Sequence, residues 1–388
     1  MDRFSAVERA LRRAPAHALL EAVRNALTAH YTATSVDLLM ADYAMTILQP
    51  VQALPYTAEP VPVHTSAPGR AFGAQQPYAE RHPRASDVTA HFPVSVRGDR
   101  IGVLTVRLPE DHYTPQTERE LRDIAEILGH EIVVAERDTD LYLQARRANR
   151  LTLAAEMQWQ LLPGRSCARP EYEIGAQLEP AYAIFGDNFD WSASADHLTL
   201  TVTNGMGEGI EAALLTSLAI NALRNARRAG LSLADQAFLA DQAIYGHYHG
   251  AAHLSVLLLR FHLATGEVEI VDAGSPKMWR LRQGKAEPIE LEAQLPLGMF
   301  EDTIYTPQAF SVLPGDRLFF LSDGVYDVAS PAGERYSEKA LIRAMTATRL
   351  LPPSQVPRAV LQELAGHRGP IDAEDDAMVV CLDWHGSP

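Results

Sequence analysis

Arg317-Leu318-Phe319-Phe320-Leu321-Ser322-Asp323-Gly324-Val325 is the stretch on which the reading of this chain turns. A short, mostly apolar run bounded by a turn signal reads as a buried strand. The aspartate that follows it sits beside a glycine, which lets the backbone turn tightly and leaves the carboxylate room to meet a ligand. A single Asp-Gly pair is an ordinary turn. Here the arrangement recurs. Phe185-Gly186-Asp187-Asn188-Phe189-Asp190 follows a strand and an apolar loop. Thr203-Asn204-Gly205-Met206-Gly207-Glu208-Gly209 follows the strand Leu198–Val202 and opens a helix, and Glu374-Asp375-Asp376-Ala377 precedes the last strand. Together the clusters are a set of hard oxygen ligands suited to Mg²⁺ or Mn²⁺.

Outward from these clusters, Tyr172–Leu178, Leu198–Val202, Leu254–His262, Val268–Val271, Arg317–Leu321 and Met378–Leu382 read as strands. Gly209–Arg228, Leu233–Tyr245, Glu338–Thr348 and Ser354–Leu364 carry helical patterns. Strands come in hairpin-like pairs and helices in consecutive pairs between them. That order predicts an α+β domain of antiparallel sheets covered by helices, not a parallel βαβ sheet.

The C-terminal part resembles the SpoIIE/RsbU branch of the PPM (PP2C) phosphatases from about Leu151 to Trp384. The resemblance rests on Ala154-Ala155-Glu156-Met157-Gln158-Trp159-Gln160-Leu161-Leu162-Pro163, Pro180-Ala181, Gly186-Asp187 with Asp190, Gly207-x-Gly209-x-x-Ala212-Ala213, Asp272-Ala273-Gly274-Ser275-Pro276, Pro296-Leu297-Gly298, Leu313-Pro314-Gly315-Asp316, Ser322-Asp323-Gly324-Val325 and Asp375-Asp376. It implies an α-β-β-α sandwich with two Mn²⁺ or Mg²⁺ ions in a cleft at one edge. By position, Asp187 is implied to hold one metal, Asp323 and Asp375 the other, with the Gly205 carbonyl also facing a metal. Asp376 is the neighbour most easily exchanged with Asp375 in that role. The implied reaction is in-line attack of metal-activated water on a phosphoserine or phosphothreonine. The implied partner is a phosphorylated regulator of sigma-factor control, such as an anti-sigma-factor antagonist.

Asn204 departs from this pattern, standing where related sequences carry the Asp that bridges both metals. Two dications ~4 Å apart repel by roughly 16 kcal/mol at an effective dielectric of ~20, and a neutral amide supplies no charge to offset that. A second reading therefore stands beside the enzyme: a pseudophosphatase that binds a partner without turnover. A third is a sensor whose C-terminal half serves dimerisation alone. Glu208 and Ser275 stand where related sequences often have His, and neither position is an implied ligand. A rival transition-metal site is offered by His247-Tyr248-His249-Gly250-Ala251-Ala252-His253.

Residues 1–110 open with a helical pattern, Ala18–Tyr31, then extended runs at Ser35–Leu48, Ala90–Val96 and Ile101–Leu108. Arg97-Gly98-Asp99-Arg100 joins the last two as a hairpin, and a Pro-rich stretch lies between Pro50 and Pro83. Ser66-Ala67-Pro68-Gly69-Arg70-Ala71-Phe72 and Phe92-Pro93-Val94 with Ile101-Gly102-Val103-Leu104 resemble a GAF-type sensor domain. That resemblance implies a small-molecule ligand; a dimerisation domain without a ligand is the other reading. Thr114-Pro115 starts a helix that meets no proline before Pro163-Gly164. Read as one helix over residues 114–162, it spans ~70 Å, and its stripe Ile124, Leu128, Ile132, Ala135 reads as a homodimer seam, the favoured expectation, or as a face packed on the two flanking domains. The phosphatase-like domain then occupies 163–388.

Composition sets the outer limits. Forty-nine acidic against 34 basic residues give a formal net charge of −15, which argues against nucleic acid as a partner. Cys167 and Cys381 make neither a disulfide framework nor a zinc knuckle. The longest apolar run, near Leu254–Phe261, falls far short of the ~20 residues of a membrane span. The polar start Met1-Asp2-Arg3-Phe4 carries no signal-peptide pattern, and a cytoplasmic location is expected.

Overall fold

The chain divides into two units, Met1–Arg150 and Leu151–Pro388, instead of at the expected positions 110 and 163. The computed structural model describes residues 2–51, 59–82, 86–182, 185–274, 276–336, 338–370 and 375–387. Ser275, Glu374 and part of the Pro50–Pro83 stretch lie outside these residues.

In the first unit, β1 (Ser35–Ala41), β2 (Ile47–Pro50), β3 (Val61–Pro62), β4 (Tyr78–His82), β5 (Asp87–Val96) and β6 (Asp99–Pro109) form one six-stranded antiparallel sheet in the order β3-β2-β1-β6-β5-β4. Its helices are α1 (Arg3–Arg13), α2 (Leu19–Tyr31), α3 (Ala67–Ala74), α4 (Pro115–Ala135) and α5 (Leu141–Ala145). The hairpin expected at Arg97-Gly98 is present, with Val96 paired to Asp99. Strand alternation sorts the side chains. Val88, Ala90, Phe92 and Val94 share a core with Leu11, Leu27, Leu121 and Ile124 of the helices. Leu39, Ala41 and Val103 face the other way, against Phe72 of α3. Each such large apolar side chain contributes about 1.5–3 kcal/mol on burial.

The single helix expected from Thr114 to Leu162 is corrected to three. α4 stops at Ala135, and α6 (Leu153–Leu161) starts afresh in the second unit. No proline or glycine marks the breaks. Short polar side chains make them by competing for the backbone: Thr139 Oγ1 accepts from Leu141 N–H at 3.3 Å, and Thr152 Oγ1 caps α6 from Ala155 N–H at 3.1 Å. Ile124, Leu128, Ile132 and Ala135, read as a dimer seam, are buried in the core of their own unit. The reason for expecting a seam there is gone.

Glu136, just past α4, is half-buried with its Oε1 unpartnered. Burial, with the Asp99 charge adding and Arg146 opposing, raises its carboxyl above the usual range. A raised carboxyl favours the folded state below its unfolded pKa and loses that contribution as pH rises through the folded value. Glu136→Gln should therefore stabilise the first unit at pH 8 by ~1 kcal/mol, or ~2–4 °C, with the gain shrinking toward pH 4. Thermal melts at both pH values check this, and an equal shift at both contradicts it.

The second unit adds β7 (Ser166–Arg169), β8 (Tyr172–Glu179), β9 (Asn188–Ala193), β10 (His197–Gly205), α7 (Gly209–Arg228), α8 (Leu233–Tyr248), β11 (Leu254–His262), β12 (Glu267–Ala273), β13 (Lys277–Arg282), β14 (Lys285–Pro288), β15 (Gln308–Ser311), β16 (Arg317–Leu321), α9 (Asp323–Tyr326), α10 (Glu338–Ala347), α11 (Val356–Arg368) and β17 (Ala377–Trp384). Two antiparallel sheets result, β15-β12-β11-β10-β9 and β14-β13-β16-β17-β8-β7. Along β11, Leu254, Val256 and Leu258 pack on α7 and α8. The alternate residues Leu257, Leu259 and Phe261 are equally buried on the other face, and Phe261 stacks on Trp384 of the second sheet at 6.0 Å. α10 and α11 cover the outer face of that sheet through Leu341, Met345, Val360 and Leu364. The layers run helix, sheet, sheet, helix, the α+β sandwich expected. Asp190 is buried on β9 and ion-paired to Arg224 and Arg227 at 2.8 and 2.9 Å, so it fastens α7 to the sheet. No described helix is long and apolar enough to cross a membrane.

Candidate active site

The four sequence clusters meet where β9, β10, β16 and β17 begin or end. Asp376, fully buried, accepts through one oxygen, Oδ2, from the backbone N–H groups of Phe185, Gly186 and Asp187 at 2.8, 2.9 and 3.1 Å. Thr216 Oγ1 of α7 donates to the Gly186 carbonyl at 2.7 Å, and Gln158 Nε2 of α6 donates to the Asp187 carbonyl. The backbone that carries Asp187 is thus held from β17, α7 and α6 at once. Gly205 closes the arrangement from β10: a Cβ there would stand 2.5 Å from the Gly186 carbonyl oxygen, so only glycine permits the approach.

β16 delivers Asp323 as the first residue of α9. Ser322 Oγ accepts from Met378 N–H at 2.9 Å and donates to the Asp376 carbonyl at 3.3 Å, which locks β16 to β17. A Cβ on Gly324 would lie 1.9 Å from the same carbonyl oxygen. Gly324→Ala must therefore push the two strand ends apart and is expected to cost about 1–3 kcal/mol. A melting temperature unchanged from wild type contradicts that packing.

These ends open onto a cavity of about 490 Å³ lined by Asn204, Gly205, Glu208, Asp323 and Asp375, with Phe185 and Met206 at its wall. Asn204 Nδ2 donates to Asp323 Oδ1 at 2.7 Å. Asp375 is exposed, with Oδ1 accepting from Asp376 N–H at 2.8 Å. Asp187 lies beneath, 2% exposed, and its Oδ2 has no hydrogen-bond partner. Asp375 faces the cavity, whereas Asp376 is turned inward to hold the Asp187 loop.

The electrostatics show a site short of positive charge. Burial raises the Asp187 carboxyl well above the ordinary range, and the charges of Asp376, Asp323 and Asp375 add to it against the Ser322 hydroxyl. Burial also lifts Asp376 to about 7 despite its three N–H donors, the Asp375 charge adding. Asp375 is raised by burial and by Asp323, with the Asp376 N–H opposing. Crowded carboxylates of this kind are relieved by a cation or by protons. The residues fit a hard divalent ion on that ground, and on the orphaned Asp187 oxygen. Among the described residues no three His, Cys, Asp or Glu side chains are gathered as a ready metal cage, and the Asn204 amide engages Asp323 Oδ1.

The rival histidine site is not assembled. His249 terminates α8 in the left-handed conformation, and His247 packs edge-on against Tyr248. His253 instead lines the carboxylate cavity together with Ser255, a placement the sequence reading missed. Ser255 pairs with Asn204 across β10 and β11, so the two side chains share a face, a relation that no local sequence pattern carries.

A family model described as stage II sporulation protein E (SpoIIE) matches residues 194–385. Protein IcfG of Synechocystis is 21% identical over 60% of this chain and 41% of its own length. The phosphoserine phosphatase RsbU of Bacillus subtilis is 21% identical over 62% of this chain and 71% of its own. Among solved structures, the SiaA PP2C domain of Pseudomonas aeruginosa superposes with a TM-score of 0.51 at 19% identity, covering 60% of this chain and 94% of that domain. That last likeness is one of fold. The chain thus spans less than half of IcfG.

Proposed function

The second unit is a SpoIIE/RsbU-like domain of the PPM phosphatase class, and from that premise we propose that this protein hydrolyses phosphoserine or phosphothreonine on a regulatory protein. The observation that carries the reading is the convergence of Asp187, Asp323 and Asp375 at one edge of the sandwich, with the carboxyls of Asp187 and Asp375 raised and an unpartnered Asp187 oxygen. Asp187, Asp323, Asp375 and the Gly205 carbonyl would hold Mn²⁺ or Mg²⁺, with Asn204 between them as a neutral oxygen donor. Bound there, the ions supply Lewis acidity and a lowered pKa for water. The chain's own contribution is to fix the ligands through Asp376, Ser322 and Gln158, so that little reorganisation accompanies the reaction. The substrate class follows the phosphoserine phosphatase relative, and its sigma-factor setting the SpoIIE/RsbU kinship.

The GAF-like reading of the first unit as a sensor with a small-molecule ligand is part of the proposal. It is supported by a helix-backed antiparallel sheet whose second face, among the described residues, carries the small cluster around α3. A specific observation favours one alternative: the 2.7 Å amide contact from Asn204 satisfies Asp323 without any cation, as a binding module without turnover would require. The test is phosphate release by the intact chain from phosphoserine, phosphothreonine and phosphotyrosine peptides in Mn²⁺ or Mg²⁺. Release confined to the first two supports the proposal. Release from none, with the peptides still bound, supports the binding module.

A further inference from the structure

His253 stands at the cavity with no part yet in the proposed reaction. Its position is fixed by the backbone on either side of the next residue. Leu254 pairs with Gly205 in the β10–β11 ladder and exchanges both backbone hydrogen bonds with Leu297, at 3.0 and 2.9 Å. The Leu254 side chain is fully buried against α7 and α8. Alternation along the chain then sends His253 and Ser255 to the opposite face, where Ser255 lies directly across from Asn204. His253 is half-buried and lines the same cavity as Asn204, Asp323 and Asp375. Among the described residues its ring nitrogens make no hydrogen bond or ion pair. Its neighbour His249 is spent on ending α8.

A carboxylate site can accept protons but, ionised, has none to give, and a seryl or threonyl oxygen is a poor leaving group unless it is protonated as it departs. Imidazole is the side chain best matched to that task near neutral pH. We propose that His253 donates a proton to the leaving oxygen of the phosphomonoester, an inference that rests on the phosphatase reading. The bond between phosphorus and the seryl oxygen breaks with its electron pair going to that oxygen. The oxygen takes the imidazolium proton as the water oxygen bonds to phosphorus. The water releases a proton to solvent, and the imidazole regains one from it. The net change is phosphomonoester plus water to alcohol plus inorganic phosphate.

The test compares leaving groups in the intact chain with Mn²⁺, using a phosphoserine peptide and p-nitrophenyl phosphate, whose nitrophenolate departs without a proton. His253→Gln keeps size and hydrogen bonding but removes the acid; His253→Ala serves as the second variant should either fold poorly, judged by its melting curve. Loss of the proton donor should lower kcat on phosphoserine about 100-fold, at least tenfold more than on the aryl ester. Equal losses on both substrates, or none on phosphoserine, overturn the role of His253 while leaving the phosphatase reading intact. A wild-type protein that turns over neither ester overturns both.

Discussion

Asp323→Asn is expected to abolish measurable Mn²⁺ binding and to lower phosphate release by at least ~100-fold, about 2.7 kcal/mol of transition-state stabilisation. Asp323 is the carboxylate that β16 projects into the cavity, and one of its oxygens already serves the Asn204 amide and the Gly324 N–H. Neutralising it leaves two amides facing each other and removes a charge that Asp187 and Asp375 cannot replace from their own positions. The same charge raises the pKa of both neighbours. The metal-free variant should therefore melt at or above the wild-type temperature, trading function for stability. Calorimetric titration with Mn²⁺, read beside a melting curve, separates loss of the site from loss of the fold. Unchanged Mn²⁺ affinity removes Asp323 from the site.

Asn204→Asp works in the opposite direction. An aspartate there places a charge beside Asp323 in place of a 2.7 Å hydrogen bond, which makes the empty site less favourable and the occupied one more so. Metal affinity should rise and hydrolysis should increase tenfold or more, about 1.4 kcal/mol. Asn204 precedes Gly205, a pair prone to spontaneous deamidation, so intact-mass analysis belongs with every rate. Wild-type activity that Asp does not raise makes Asn204 a sufficient ligand. An inactive wild type rescued by Asp marks a binding module that lost its bridge.

The strands and helices that frame the site were legible because their patterns are local. Leu254–His262, Arg317–Leu321 and Gly209–Arg228 were read at the bounds the structure has. β9 was missed because Asn188-Phe189-Asp190-Trp191 places buried polar groups in a strand, and only the tertiary partners Arg224 and Arg227 satisfy Asp190. The long helix failed for a related reason: Thr139 and Thr152 stand at the starts of new helices and take backbone N–H groups through side-chain hydrogen bonds that a search for Pro and Gly does not detect. In the site, residue type and strand-end position located Asp187, Asp323 and Asp375. They could not separate Asp375 from Asp376, whose difference lies in three hydrogen bonds from a loop 189–191 residues away in sequence. His253 was hidden because its relation to Asn204 exists only in the β10–β11 register.

Phosphate release from a phosphoserine protein by the chelator-stripped wild-type chain, with and without restored Mn²⁺, tests the central claim most directly. Turnover that is absent in chelator and returns with the metal is the predicted result. Hydrolysis indifferent to the metal, or no hydrolysis at any Mn²⁺ concentration by either wild type or Asn204→Asp, contradicts a metal-dependent phosphatase site at this cleft.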